Sequence, residues 1–183
     1  SHGADILRLW AVGSDYSDDL RIGKDIIKHH SDIYRRLRNT LRFLLGNLNN
    51  FDISEAVQLD EMPELEIWVL HRLHELDARI RKSCSTFEFH SLFLELHNFC
   101  TVDLSAFYFD IRKDTLYCDR LDSLTRRATR TVLDHLFNSL TAWFAPFIAF
   151  TAEEAWLARY PDVNGSIHLN LFPDIPGDWN NDK

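Results

Sequence analysis

The clearest hydrophobic pattern in the sequence lies between residues 24 and 48. Apolar residues recur there at three- and four-residue spacing, which is typical of the buried face of an α-helix. They are Ile26, Ile33, Leu37, Leu41, Leu44 and Leu48. Gly46 and the Asn-rich residues 47–50 then indicate the end of the helix. The pattern predicts one long amphipathic helix.

Further helices are predicted downstream of an acidic loop at residues 52–66. Pro63 opens a helix that fades around residues 83–85, and its apolar side carries Leu65, Val69, Leu73, Leu76 and Ile80. A long aromatic-rich helix is predicted from Thr86 to about Phe109, with Phe89, Phe93, Leu96, Cys100 and Leu104 on one face. Whether residues 107–109 become extended stays open. Residues 123–145 predict another helix, which Pro146 stops.

The two ends of the chain are less regular. Residues 3–20 begin with a short apolar stretch and end in a loop rich in Ser and Asp, without a decisive period. Residues 151–154 (TAEE) match a capping box and predict a short helix from Thr151. From Pro161 onward we expect an irregular extension. Because the connections are short, the sequence predicts an all-α fold, an antiparallel bundle of about four long helices.

Composition agrees with a helical protein. The 183 residues include only 6 Gly and 5 Pro, too few for a protein with many tight β-turns.

The three cysteines, Cys84, Cys100 and Cys118, are odd in number and form no C-x-x-C pair, which favours reduced thiols in a cytoplasmic protein over a disulfide scaffold or a zinc site. Residues 135–152 lack charge, but Pro146 would break a membrane span, so we predict a buried helix and a turn.

Candidate chemistry is sparse. His71, His74 and Glu75 resemble half of a metal site, and His90, His97 and Cys100 could share a helix side. Histidines on amphipathic helices explain both groups better, so no metal site is predicted. The sequence has no G-x-S-x-G, P-loop or G-x-G-x-x-G motif. It therefore predicts no catalytic residues.

Charge is distributed unevenly along the chain. The net charge of −8 argues against a nucleic-acid partner, yet residues 21–46 carry seven Lys and Arg against two Asp. At about 100° per residue, five of the seven project within about 80° of one another; we call Lys24, Lys28, Arg35, Arg38 and Arg42 the basic stripe. Asn39 borders it. The stripe either neutralises nucleic-acid phosphates or is a solvated face that balances the acidic loop.

Several segments resemble the class I aminoacyl-tRNA synthetases for isoleucine, valine and leucine. Residues 3–10 (GADILRLW) are similar to the segment after the KMSKS loop of that family. Residues 19–22 (DLRI) and 34–43 (YRRLRNTLRF) resemble the start of its anticodon-binding bundle, and residues 145–156 (APFIAFTAEEAW) resemble the last helix pair. Residues 109–117 (FDIRKDTLY) and 166–169 (SIHL), the latter before Phe172 and Pro173, resemble the isoleucyl branch.

The resemblance implies a tRNA-binding part without catalysis, taken from a cytoplasmic, monomeric enzyme. Residues 1–22 would connect to the catalytic domain, residues 23–160 would form the anticodon-binding bundle, and residues 161–183 would extend toward another module. The whole enzyme would use ATP with magnesium to attach isoleucine to its tRNA. Neither HIGH nor KMSKS occurs in this sequence, nor does the Cys-rich zinc module with which bacterial relatives often end.

The resemblance also favours isoleucine tRNA as the partner of the basic stripe and Asn39. Arg112 and Lys113 are the second candidate contacts. Two alternatives remain: the same role in a valyl or leucyl enzyme, and a helical protein-interaction module without RNA, which the acidic net charge favours.

Overall fold

The structure is a computed structural model that describes residues 3–15, 19–161 and 165–181. Within these residues the chain forms helices and no strand, which confirms the predicted all-α fold. The helices are α1 (Ala4–Val12), α2 (Lys24–Asn47), α3 (Glu64–Thr86), α4 (Phe89–Asn98), α5 (Phe109–Cys118), α6 (Leu124–Phe144) and α7 (Ala149–Arg159), and a π-helical segment (Phe99–Tyr108) joins α4 to α5. The Ser- and Asp-rich loop predicted before residue 20 lies partly outside the described residues.

Helix α6 lies at the centre of the bundle. It packs against α2, α3, α5 and α7, and Phe137, Leu140, Trp143 and Phe144 are almost completely buried. A helix that is covered on most sides needs apolar or small side chains around its circumference. This burial explains the uncharged run after residue 135. No helix in the described ranges is long and apolar enough to cross a membrane.

Helix α2 has the two faces that its sequence predicts. Ile33, Leu37, Leu41 and Leu44 are buried against the core, whereas most of the basic stripe is on the opposite side. The helix ends at Asn47, within one residue of the predicted position. Helix α1 packs against α2, α4 and α7, so this segment, which has no decisive hydrophobic period, is an integral part of the helical packing.

The segment after α3 is one long helical run with a change of winding in its middle. The backbone at Asn98, Phe99, Tyr108 and Phe109 keeps right-handed helical angles. The N–H of Phe109 bonds to the carbonyl of Leu104, five residues back, as in a π-helix. Residues 107–109 are therefore helical and not extended. Neither the π-helical segment nor α5 follows from the 3.6-residue pattern, because that pattern assumes a constant winding.

The acidic segment is more ordered than the loop predicted for it. It contains 3₁₀ turns at Ile53–Glu55 and Leu59–Glu61, and its last residues already belong to α3. Glu66 is fully buried there. Its carboxylate accepts hydrogen bonds from Tyr108 Oη (3.1 Å), from Arg112 Nε and Nη2 (2.8 Å each) and from Thr129 Oγ1 (3.1 Å). Glu66 therefore ties α3 to the π-helical segment, α5 and α6.

The predicted capping box at residues 151–154 is wrong. Helix α7 begins two residues earlier, at Ala149, and Thr151 lies inside its first turn. The acceptor that satisfies this turn is the carboxylate of Asp5 in α1, which takes hydrogen bonds from the N–H groups of Phe150 (3.3 Å) and Thr151 (3.0 Å) and from Thr151 Oγ1 (2.9 Å). Glu153 instead accepts from Ser166 Oγ and the N–H of Ile167. The cap is thus supplied from the other end of the chain.

The C-terminal residues 165–181 are irregular, as predicted, but they fold back on the bundle. Ile167 and Trp179 are buried, and the Trp179 ring contacts the His135 ring edge-on at 4.8 Å between centroids. Arg81 donates a hydrogen bond to the carbonyl of Pro173 at 2.7 Å. These contacts fix the described part of the extension on α3 and α6.

Candidate nucleic-acid interface

The basic stripe is accessible along most of α2. Lys24, Lys28, Arg35 and Arg42 are exposed, Asn39 between them is exposed, and Arg38 is half-buried. Arg35 bonds to Asp32 at 3.0 Å, but the two side chains are 71 % and 48 % exposed, so this surface pair holds the guanidinium weakly. The stripe therefore presents positive charge to solvent over a rise of about 27 Å.

The basic stripe does not balance Glu55 and Glu66, two of the carboxylates of the acidic segment. Glu55 is bound by Arg130 of α6, and Glu66 is bound by Arg112 of α5. Both carboxylates are therefore neutralised by other helices. This arrangement weakens the interpretation of the stripe as a solvated counterweight.

One end of the stripe has an acidic neighbour. Arg38 and Arg42 line a shallow groove of about 170 Å³ between α2 and α7, and Glu154 lines it too. The carboxylate lowers the positive potential on this side of the groove. We therefore expect phosphate attraction to be strongest away from Glu154, on the exposed side chains of the stripe.

The two second-choice residues are engaged within the fold. Arg112 forms a bidentate ion pair with Glu66, and its side chain is only 16 % exposed. The hydrogen bonds to Glu66 raise the pKa of its guanidinium. Lys113 pairs with Asp110 at 2.8 Å on the surface of α5, which raises the pKa of its amine. Arg112 therefore has a structural role that the sequence did not show, and contact of either residue with RNA stays a prediction.

Three of the four candidate histidines contact other groups within the bundle. His71 Nδ1 accepts the N–H of Asn181, His90 Nδ1 bonds to the carbonyl of Gly13, and the His97 ring stacks on Phe93. Burial raises the pKa of the Cys100 thiol well above its usual range. In the part of the chain that the structure describes, no three His, Cys, Asp or Glu side chains come together as a metal site.

A second basic cluster was missed by sequence reasoning. Arg126, Arg127 and Arg130 of α6 line a cavity of about 640 Å³ beside Asn49 and Asn50, at the end of α2. The signal was present as R-R-x-x-R in a predicted helix, a spacing that places the three arginines within about 100° of one another around the helix axis. The net charge of the segment does not show the cluster, because the nearby Asp119 and Asp122 offset the positive charge of the arginines.

The comparison with family models decides what class of domain this is. The model described as the anticodon-binding domain of tRNA ligase matches residues 66–183, more than half of the chain. The chain belongs to this family. The start of the match falls inside α3, so α1, α2 and the basic stripe precede the matched part.

Relatives of this anticodon-binding domain cover it almost from end to end. It is 55 % identical over 181 residues to an isoleucine–tRNA ligase of Ruegeria pomeroyi and 53 % identical over 180 residues to one of Gluconobacter oxydans. Each alignment takes in 98 % of this chain and 19 % of the relative. The chain thus spans about a fifth of the length of the curated relatives it matches.

A solved structure has the same fold. The ternary complex of Agrobacterium radiobacter LeuRS with tRNA and LeuAMS superimposes with a TM-score of 0.71 over 98 % of this anticodon-binding domain and 20 % of that chain. The sequence identity is 14 %, so the likeness concerns the helical architecture.

Proposed function

We propose that this chain is the tRNA-binding part of an isoleucine–tRNA ligase and that it holds isoleucine tRNA while other parts of the enzyme perform catalysis. The observation that carries the proposal is the identity of 47–55 % to isoleucine–tRNA ligases over at least 98 % of the chain. The specificity for isoleucine rests on these relatives, since the leucyl structure resembles the domain in fold alone.

The basic stripe supplies the physical basis for RNA contact. Lys and Arg side chains that approach phosphates release condensed counterions, which is the main source of nucleic-acid affinity. Asn39 beside the stripe can add a hydrogen bond to a phosphate or sugar oxygen. The net charge of −8 repels RNA at long range, so the attraction is local, within about 8–10 Å at physiological salt. We therefore expect weak binding by the isolated chain.

The parent enzyme would attach isoleucine to its tRNA with ATP and magnesium at a site outside these residues. A zinc module would likewise belong to another part of that enzyme, and this chain would need no cofactor. The proposal places the enzyme in the cytoplasm as a monomer.

A matched pair of double variants tests the stripe. Arg35→Glu with Arg42→Glu reverses two exposed charges of α2, and Arg79→Glu with Lys82→Glu reverses two exposed charges of α3. The variants are matched in charge, and in both of them an exposed arginine gives up surface ion pairs. Arg35 loses one, at 3.0 Å, and Arg79 loses two, at 3.1 and 3.9 Å. Binding of isoleucine tRNA is measured by fluorescence titration over a salt series, with valine and leucine tRNA in parallel.

The α2 variant should bind isoleucine tRNA more weakly, and its log–log salt slope should shrink by about 1.4–1.8, the value for two lost phosphate contacts. The α3 variant should bind like the original chain. Equal binding by both variants would reduce the stripe to a solvated face. Preference for valine or leucine tRNA would reassign the enzyme, and no binding to any tRNA would favour a protein-interaction module.

A further inference from the structure

The cavity between the end of α2 and the start of α6 is shaped by a buried arginine. Arg130 is 5 % exposed. It donates hydrogen bonds to the backbone carbonyls of Asn47 (3.2 Å) and Asn49 (2.9 Å) and to the carboxylate of Glu55. These bonds hold the loop after α2 against α6, with the exposed residues Asn49 and Asn50 at the cavity.

Two further arginines line the same cavity and have hydrogen-bond donors that the fold does not use. Arg126 and Arg127 each donate Nε to a backbone carbonyl, that of Leu116 (3.3 Å) and that of Glu55 (3.1 Å) respectively. Over the described ranges, neither guanidinium has a carboxylate within ion-pairing distance. Arg126 Nη1 is buried and makes no hydrogen bond. An unsatisfied buried donor is unfavourable, so an acceptor brought by a ligand would stabilise this arrangement.

The charge at the cavity is positive after internal pairing. Glu55 is bound by Arg130, and Asp122 is bound by Arg120 at 2.8 Å. Burial lowers the pKa of the Arg130 guanidinium, and repulsion from Arg126 acts in the same direction, against the attraction of Glu55. Positive charges are therefore crowded at this end of the bundle, as they are at anion-binding sites.

The combination of groups selects the ligand. Arginines bind phosphate oxygens, whereas the amides of Asn49 and Asn50 can donate to and accept from the edge of a nucleobase. The cavity, of about 640 Å³, is much larger than a phosphate ion. RNA-binding proteins read unpaired nucleotides through such edge contacts. We propose that this cavity binds one unpaired nucleotide of an RNA loop, with its phosphate at Arg126 and Arg127 and its base edge at Asn49 and Asn50.

The inference rests on the proposed function, and its test uses the 183-residue chain with two RNAs. One is the anticodon stem-loop of isoleucine tRNA, and the other is the same stem-loop with abasic loop nucleotides. The variants are Asn49→Ala, Arg126→Ala and the charge-matched control Lys82→Ala on the exposed end of α3. Asn49 holds Arg130 through its backbone carbonyl, so its side chain can be shortened without losing that bond. If Arg126→Ala lowers the melting temperature, Arg126→Lys replaces it.

The original chain should bind the intact stem-loop about tenfold more tightly than the abasic one. Asn49→Ala should lose most of this preference without changing affinity for the abasic RNA, whereas Arg126→Ala should weaken binding of both. Lys82→Ala should match the original chain.

Three outcomes would overturn the inference. Asn49→Ala and Arg126→Ala could bind both RNAs like the original chain while the α2 charge reversal still weakens tRNA binding. This result would refute the cavity as a binding site and leave the proposed function intact. An equal loss on both RNAs in Asn49→Ala would refute the base contact. Absence of binding to either RNA and to intact tRNA would refute the proposed function together with this site.

Discussion

The buried carboxylate of Glu66 offers the most decisive test of how the bundle is held together. Glu66→Ala removes an acceptor that four hydrogen bonds share and leaves Arg112, which is 16 % exposed, without its counterion. Breaking one side of a buried ion pair costs about 3–5 kcal/mol, because a charge stays in a poorly solvated position. Small domains have unfolding free energies of about 5–15 kcal/mol. We therefore expect a loss of about a fifth or more of the unfolding free energy.

The pairwise part of this loss can be isolated with a double-mutant cycle. Glu66→Ala, Arg112→Ala and the double variant should show a coupling of at least about 1.5 kcal/mol, since the second substitution removes the partner that the first left unpaired. The surface pair between Lys113 and Asp110 is a matched control on the same helix. Its N–O distance is also 2.8 Å, but its side chains are 50 % and 65 % exposed, so its coupling should be below about 1 kcal/mol.

Urea denaturation followed by far-ultraviolet circular dichroism measures each unfolding free energy. Thermal scans should show Glu66→Ala melting about 6–20 °C below the original chain, as expected for a protein of this size. A coupling no larger than that of the surface pair would refute the argument that burial makes the Glu66 pair strong.

Three further outcomes follow from the structure. Asp5→Ala should cost about 1–3 kcal/mol and speed amide exchange in the first turn of α7, because the N–H of Thr151 loses its acceptor; unchanged exchange there would contradict the assigned cap. Burial lowers the pKa of His135, His30 and His97. The unfolded chain therefore binds more protons than the folded chain below pH 6.5, and the unfolding free energy should fall as the pH drops from 6.5. His135→Gln should flatten this fall, and an unaltered pH profile would count against burial as its cause. The chain should catalyse no isoleucine-dependent pyrophosphate exchange, since it contains neither HIGH nor KMSKS; exchange by protein free of host synthetase would disprove this.

Helices with a constant winding and one buried face could be predicted from the sequence. The ends of α2 and α6 fall within one or two residues of their predicted positions, since Asn-rich residues and Pro146 are strong local signals. The π-helical segment has no such signal. The wider winding around Cys100 and Leu104 depends on tertiary packing, so a search for apolar residues at a fixed period of 3.6 residues cannot predict it.

Long-range polar contacts account for the other differences. The side chains of Asp5 and Glu66 look like ordinary helix-terminal acids in the sequence, but their partners lie 146 and 46 residues away. The charge face of α2 was predicted because a single helix determines it. The R-R-x-x-R spacing indicates three arginines on one side of α6, but the cavity that they line also needs the segment after α2, which no pattern within one helix shows. The division of the chain at residues 22 and 160 stays a prediction.

The capping of α7 by Asp5 also sets an order on biosynthesis. Helix α1 is among the first parts of the domain to leave the ribosome, whereas the N–H of Thr151, which its carboxylate accepts, is made 146 residues later. At about 5–20 residues per second, the interval is about 7–30 s. During that time Asp5 has no α7 to cap, and the contacts of α1 within this domain are those with α2 and α4. Final attachment of α1 therefore reports that the last helix of the bundle has been synthesised.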